Sequence, residues 1–218
     1  AKPEMELANC IYDLRAVKQE NLGEGVETDF EYNAERFRKK YNINDPYIIY
    51  AGRKDSAKNI NTLITYFDEF KKRNKTHKAL KLILIGGGSV DIPDSIKDDV
   101  IDLGFVDIQD KYDACAGAQL LCQPSKNESF SIVIMESWLC ERPVLVNKDC
   151  KVTTNFAKEA NGGLFFKDYF EFEGCVNYIL DNPETAKQMG LNGRKYVLDN
   201  FRWDIIIEKL LRFFEVEQ

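Results

Sequence analysis

Histidine is nearly absent from this chain: its 218 residues include one, His77, inside the polar run KKRNKTHK. A serine–histidine triad, a multi-histidine zinc site and a histidine general base in the core are therefore poor readings, and His77 reads as a solvated surface residue. No apolar run approaches the ~20 residues that span a bilayer, and no signal-peptide pattern opens the chain. Positive charge is in short supply. Thirty Lys and Arg against 36 Asp and Glu leave a formal net charge of −6, which argues against a broad nucleic-acid-binding face. Paired cysteine motifs are missing too. Cys10, Cys115, Cys122, Cys140, Cys150 and Cys175 are scattered without a C-x-x-C, and most have apolar neighbours, as expected of reduced core residues in a cytosolic protein. The chain opens AKPEMEL rather than on methionine, so a fragment or a processed product is expected.

What is present is ordinary in amount and informative in order. An apolar share of 44% and a charged share of 30% suit a soluble globular chain, long enough for one substantial domain. From Pro46 onward short apolar strands alternate with amphipathic helices. Strands are expected over 47–52, 80–86, 101–106, 119–125, 143–147 and 163–166. A helix over 59–73 would turn Ile60, Leu63, Ile64, Phe67 and Phe70 towards the sheet. Residues 107–118 read as a short helix, and three more helices close the chain over 170–181, 184–198 and 204–216. Such alternation implies parallel strands joined by right-handed crossovers, hence a doubly wound Rossmann-like α/β sheet of about six strands. Three parts are expected: a linker and short helix over 1–45, the sheet domain over 46–182, and C-terminal helices over 183–218.

Three stretches carry candidate chemistry. In AGRKDSAKN, Arg53, Lys54 and Lys58 lie between a strand's carboxyl end and a helix's amino end, where free N–H groups and the helix dipole favour an anion. A diphosphate site and a solvated loop are both open readings; the position on such a sheet favours the first. LIGGGS (84–89) is a glycine turn without the spacing of a dinucleotide or Walker motif, and ligand approach and plain structure both fit it. In NESFSIVIMESWLCERP (127–143), Glu128 and Glu136 bracket an apolar segment. A carboxylate at a helix start can be a dipole partner, which suits Glu128. Glu136 instead shares a face with Ile132, Met135 and Leu139, while Ser137 and Glu141 follow on a face better suited to solvent. A buried acid needs a partner, whether internal or a ligand.

Taken in order, AGRKDSAKNINTLI, LGFV and PSKNESFSIVIMESWLCERPVLV resemble the carboxyl-terminal half of family-4 retaining glycosyltransferases of the GT-B architecture, and ENLGEGVETDF resembles the segment that precedes that half. The likeness runs from about Gly23 to the end. It implies a donor-binding domain for a nucleotide-diphosphate sugar, a UDP- or GDP-sugar, used in retaining transfer of a hexose to a glycan or lipid-linked acceptor during polysaccharide, lipopolysaccharide or glycolipid synthesis. By position, Arg53 and Lys58, with Gly52, would hold the diphosphate, and Glu136 would accept from ribose hydroxyls. Glu128 would be the acid beside the transferred sugar. Ser129, Phe130, Ser131 and Ile132 would form the turn that approaches sugar and phosphate, and Gly104, Phe105 and Val106 would flank the nucleobase. No cofactor or metal is implied, since fixed cations and helix-terminal N–H groups would stabilise the leaving diphosphate.

The sequence also departs from that pattern. Serines stand at 129 and 131, and Glu141-Arg142 at a pair, where the family commonly has glycine. Only one of two expected Rossmann-like domains is present, so the acceptor half is expected elsewhere and the isolated domain is expected to be inactive. Two alternatives stay open: a non-catalytic binding or assembly module with internally paired carboxylates, and a GT-B nucleotide-sugar epimerase. The expected location is the cytoplasm. The basic runs over 36–40 and 71–78 offer peripheral contact with anionic lipid at the inner face of a membrane, although charge runs are usually solvated. The amphipathic last helix, with Ile205, Ile206, Leu210, Leu211 and Phe214, is expected to pack on the sheet domain or on the absent one.

Overall fold

The computed structural model describes residues 1–14 and 16–215 of the chain. Six parallel strands form one sheet: β1 (Tyr47–Ala51), β2 (Lys81–Ile85), β3 (Val100–Gly104), β4 (Leu120–Gln123), β5 (Val144–Asn147) and β6 (Gly163–Phe166), in the order β3-β2-β1-β4-β5-β6. Every residue of β1 is buried, as a strand covered on both faces requires. Its side chains alternate between two cores. Tyr47, Ile49 and Ala51 join one, and Ile48 and Tyr50 the other. Ile83 and Ile85 of β2 oppose Leu82 and Leu84 in the same way.

Helices cover both faces. The helix α3 (Ile60–Arg73) buries the five apolar residues expected of it and packs near α7 (Tyr169–Asp181). On the other face lie α4 (Ile108–Gly117), α5 (Ile132–Leu139), α6 (Lys151–Ala160) and α8 (Pro183–Asn200). The contact between α5 and α8 is close because Gly193 faces Trp138: a Cβ there would lie 2.1 Å from the indole. The same indole donates to the Gly162 carbonyl at 2.8 Å, which fixes the helix that carries Glu136. The last helix, α9 (Trp203–Glu215), buries Ile206 but exposes Trp203, Ile207, Leu211 and Phe214. The expectation that it continues to residue 216 falls outside the described residues.

Residues before β1 hold two helices, α1 (Lys2–Ile11) and α2 (Ala34–Tyr41), where a linker with one short helix was expected. The first of them, α1, leaves Leu7 and Ile11 exposed and lies against α6. The connection between β2 and β3 holds only a 3₁₀ turn over Asp94–Ile96. The third strand ends at Gly104, so Phe105 and Val106 lie beyond it.

Charge secures α2 on α4. Asp113, fully buried, accepts from the Arg36 guanidinium, from the Asn33 N–H at 2.8 Å and from Gln109 at 3.0 Å. Beside it Asp110 accepts from Lys40 at 2.6 Å and Tyr41 at 2.8 Å. Burial pushes the Asp113 carboxyl up, but the hydrogen bonds from Arg36, Asn33 and Gln109 outweigh it and hold the group below the ordinary carboxylate range. A depressed acid contributes stability above its unfolded value, lost as pH falls through its folded value. Asp113→Asn is therefore expected to lower unfolding free energy by about 1–3 kcal/mol at pH 7. In urea titrations the gap to the unsubstituted protein should narrow below about pH 4.

Candidate functional site

The strand order reverses between β1 and β4: from β1 the chain winds outward through β2 and β3, then returns through β4 to β5 and β6. At such a point the connections leave on opposite faces and a crevice opens at the strands' carboxyl ends. Residues 52–59 follow β1 there, and residues 124–131 follow β4. Two carboxamides join the loops: Asn59 and Asn147 both donate to the Pro124 carbonyl, at 2.9 and 3.2 Å. A third connection, the glycine turn after β2, approaches from the side. A Cβ on Gly86 would sit 2.1 Å from the Gly52 carbonyl oxygen, and Gly86 has φ +123°, so only glycine fits.

Lys58 and Glu128, far apart in sequence, meet in this crevice. The ammonium lies 2.7 and 2.9 Å from the two carboxylate oxygens. Arg53 is free of that pair; its side chain is 73% exposed, with only a loose 3.5 Å contact to Asp55. Lys54 does not belong with them. Only 3% exposed, it donates to the Gly86 carbonyl and to Asp102, each at 2.6 Å, and Asp102 also accepts from the Gly104 N–H. The residue serves as a staple between the ends of β1, β2 and β3, and the cation cluster expected in this loop is reduced to Arg53 and Lys58. Phe105 is 87% exposed and lies against Gly87, so an open aromatic ring borders the glycine turn.

The helix that carries Glu136 starts at Ile132. Ser131 precedes it with φ +81°, and its buried hydroxyl has no hydrogen-bond partner among the described residues. The first-turn N–H groups of an α-helix lack α-helical acceptors; in α5 Ile134 already donates to the Ser131 carbonyl at 3.1 Å, and the N–H groups of Ile132 and Val133 come before it. Phe130 contributes backbone only, because its ring is buried edge-on against Phe156 and Phe201. Ser129 and Ile132 are exposed, whereas Ser137, expected at solvent, is fully buried.

Glu136 is buried as expected, at 6% exposure. Its Oε1 accepts from Lys111 of α4 at 2.6 Å, while Oε2 is enclosed and accepts from no described residue. Burial pushes the carboxyl up, and Lys111 partly offsets the shift. Lys111 was missed in the sequence because only the packing of α4 on α5 brings it to Glu136.

Beside the Lys58–Glu128 pair a cleft of about 1050 Å³ extends across α6 to α1, and Lys126, Lys148, Lys151 and Lys158 line it with Asn127 and Ser129. These lysines were also missed, although two of them directly follow β5 at the carboxyl edge. Cys10 is exposed on its rim, and His77 pairs with Asp181 at 3.0 Å. Among the described residues no helix is long and apolar enough to cross a membrane.

This arrangement, a doubly wound sheet of six parallel strands, is that of one domain of the GT-B architecture. The family described as Glycosyl transferases group 1 matches residues 33–196, and the chain belongs to that family. It is 25% identical over 185 residues to a D-inositol 3-phosphate glycosyltransferase of Gordonia bronchialis, covering 77% of this chain and 40% of that protein. Among solved structures it resembles sucrose-phosphate synthase from Thermosynechococcus elongatus, with TM-score 0.77 and 22% identity over 99% of this chain and 57% of the other. It also resembles Anabaena HepE in complex with UDP-glucose, with TM-score 0.68 and 18% identity over 90% and 54%. The chain thus spans about half the length of these relatives.

The left-handed Ser131 yields a test. Glycine adopts that φ without the 1–2 kcal/mol that a Cβ costs, and its extra unfolded-state entropy cancels only part of the gain. Ser131→Gly, which also removes the unpaired hydroxyl, should stabilise the fold by about 1 kcal/mol in chemical denaturation. Ser131→Ala keeps the Cβ and should gain less.

Proposed function

We propose that this chain is the donor-binding half of a glycosyltransferase. It binds a nucleotide-diphosphate sugar, with a UDP- or GDP-sugar as donor, for metal-independent, retaining transfer of a hexose to a glycan or lipid-linked acceptor held by a second domain. The observation that carries this reading is the Lys58–Glu128 pair at the switch point, with the exposed Arg53 beside it.

Breaking the anomeric C–O bond leaves a negative charge on the departing diphosphate. Arg53, Lys58 and the N–H groups of residues 129–132 are fixed donors on one edge, and preorganised charge of this kind stabilises the transition state without reorganising. Gly52 keeps that approach clear. Glu128, held by Lys58, faces the transferred sugar, and the leaving phosphate accepts the acceptor's proton as attack proceeds on the same face of the ring. Gly104, Phe105 and Val106 border the base, with the open Phe105 ring as a stacking surface. Glu136 takes the ribose hydroxyls through the carboxylate oxygen that has no protein partner.

A second reading is a binding module without catalysis, favoured by the fact that each acid already has a lysine, Lys58 for Glu128 and Lys111 for Glu136. Ligand binding separates the two. At a hundredfold excess over Kd, UDP or GDP is expected to raise the melting temperature by about 5–10 °C. Arg53→Gln, at an exposed side chain, should leave the ligand-free melting temperature unchanged and weaken binding about tenfold or more. Melting curves indifferent to every nucleoside diphosphate and its sugars would favour the module.

A further inference from the structure

Lys111 lies outside every motif that resembles the family, on the helix α4, and its ammonium donates to Oε1 of Glu136 at 2.6 Å. Among the described residues no other charge is set against that carboxylate. The titratable groups that face it are Tyr112 and Cys115, also on α4, and Cys140 at the end of α5. Burial pushes Tyr112 and Cys115 up to about 12, and pushes Cys140 up as well, so all three are neutral at pH 7. Lys111 is the single opposite charge set against Glu136 among the described residues.

A carboxylate in such a pocket has two states with different recognition chemistry. Ionised, it offers only acceptors, which suits a vicinal diol that donates two hydroxyl protons. Protonated, it carries a donor of its own, and one acceptor is lost. Desolvation favours the protonated state, and a nearby ammonium favours the ionised one. Geometry adds a second effect. Lys111 occupies Oε1 and leaves Oε2 without a partner, so the side chain is half satisfied and held in one orientation.

We propose that Lys111 is a positioning residue for nucleotide binding: it keeps Glu136 ionised and engages one oxygen, leaving the other as the acceptor for a ribose hydroxyl of the ligand. The inference rests on the ribose-binding role proposed above for Glu136. It also explains why a lysine only partly exposed is spent on an acid that a neutral glutamine would replace without a charge to bury.

The test uses two readouts. UDP affinity is measured by calorimetry from pH 6 to 8.5 in the unsubstituted chain and in Lys111→Met, Lys111→Arg and Glu136→Gln. Lys111→Met is expected to bind about tenfold more weakly at the acid end and to regain affinity as pH rises. Lys111→Arg should restore near-original affinity with a flat profile, and Glu136→Gln should be weak and flat. The second readout needs no ligand: the Glu136 carboxyl, followed by carbon-13 NMR and assigned by its loss in Glu136→Gln, should titrate about one unit or more higher in Lys111→Met. Coincident carboxyl midpoints, or a Lys111→Met affinity equal to the original or weakened equally at every pH, would overturn the proposal. If Glu136→Gln binds UDP as tightly as the original, the ribose reading fails by itself; the ligand half of this proposal falls with it, and the carboxyl titration still decides the ionisation half. Should Lys111→Met not fold, Lys111→Gln makes the same comparison.

Discussion

The arrangement turns on one backbone carbonyl. Pro124 follows β4 at the point where the chain reverses its winding, and the side-chain amides of Asn59 and Asn147 both donate to its carbonyl oxygen. Proline has no N–H to give, so at this residue the backbone is held through its acceptor, by a side chain from each neighbouring connection. The charged side chains of the crevice hang from those connections: Arg53 and Lys58 before Asn59, Glu128 after Pro124, and Lys148 and Lys151 after Asn147. The sheet supplies the crevice by topology. The two amides give it fixed walls, and the Lys54 staple does the same for the glycine turn and the end of β3.

Electrostatics then divides the two acids. Taking a carboxylate from water into a protein interior costs several kcal/mol even after relaxation, and an ammonium partner returns that cost only with good geometry and further hydrogen bonds. Glu128 has both oxygens on Lys58, and its partner remains partly exposed to water. Glu136 is less well served, with one oxygen on Lys111 and the other on nothing in the chain. Buried ion pairs are weak sources of stability, often bettered by apolar residues of the same volume. An acid kept in that condition, one turn into a helix whose remaining residues are apolar but for Ser137, makes sense as part of a recognition surface rather than as part of the core.

The periodicity of the sequence carried most of the fold. The central strand β1 has the uninterrupted apolar character of a doubly covered strand, the edge strand β3 is broken by Asp102, and α3 buries the five residues whose spacing marks its inner face. Glu136 was legible because an acid on an apolar helical face is anomalous, and Arg53, Lys58 and Glu128 because they fall at strand-to-helix turns. Other features were illegible for physical reasons. Lys54 and Arg53 are adjacent cations in the same loop, and only the position of Asp102, on a strand two places away in the sheet, makes one a buried staple and the other an exposed side chain. Lys111 reads as one more charge on a polar helix until α4 is laid on α5. The helix α1 buries no residue, so the sheet's core gives no sign of it.

Ser131 shows how a local departure and the crevice are connected. The backbone at the start of α5 takes a left-handed conformation whichever residue stands there, because the chain must leave β4, turn across the crevice and enter a helix whose axis is fixed by Trp138 against Gly193 and Gly162. Glycine meets that demand without strain. Serine meets it at a cost of about 1–2 kcal/mol, a sizeable share of the 5–15 kcal/mol by which domains are stable, and it also encloses a hydroxyl with no partner. The same side chain narrows the approach to the first-turn N–H groups. Strain at a position that borders the crevice, in a chain otherwise well packed, places the departure where it would alter the shape of what binds rather than the integrity of the fold.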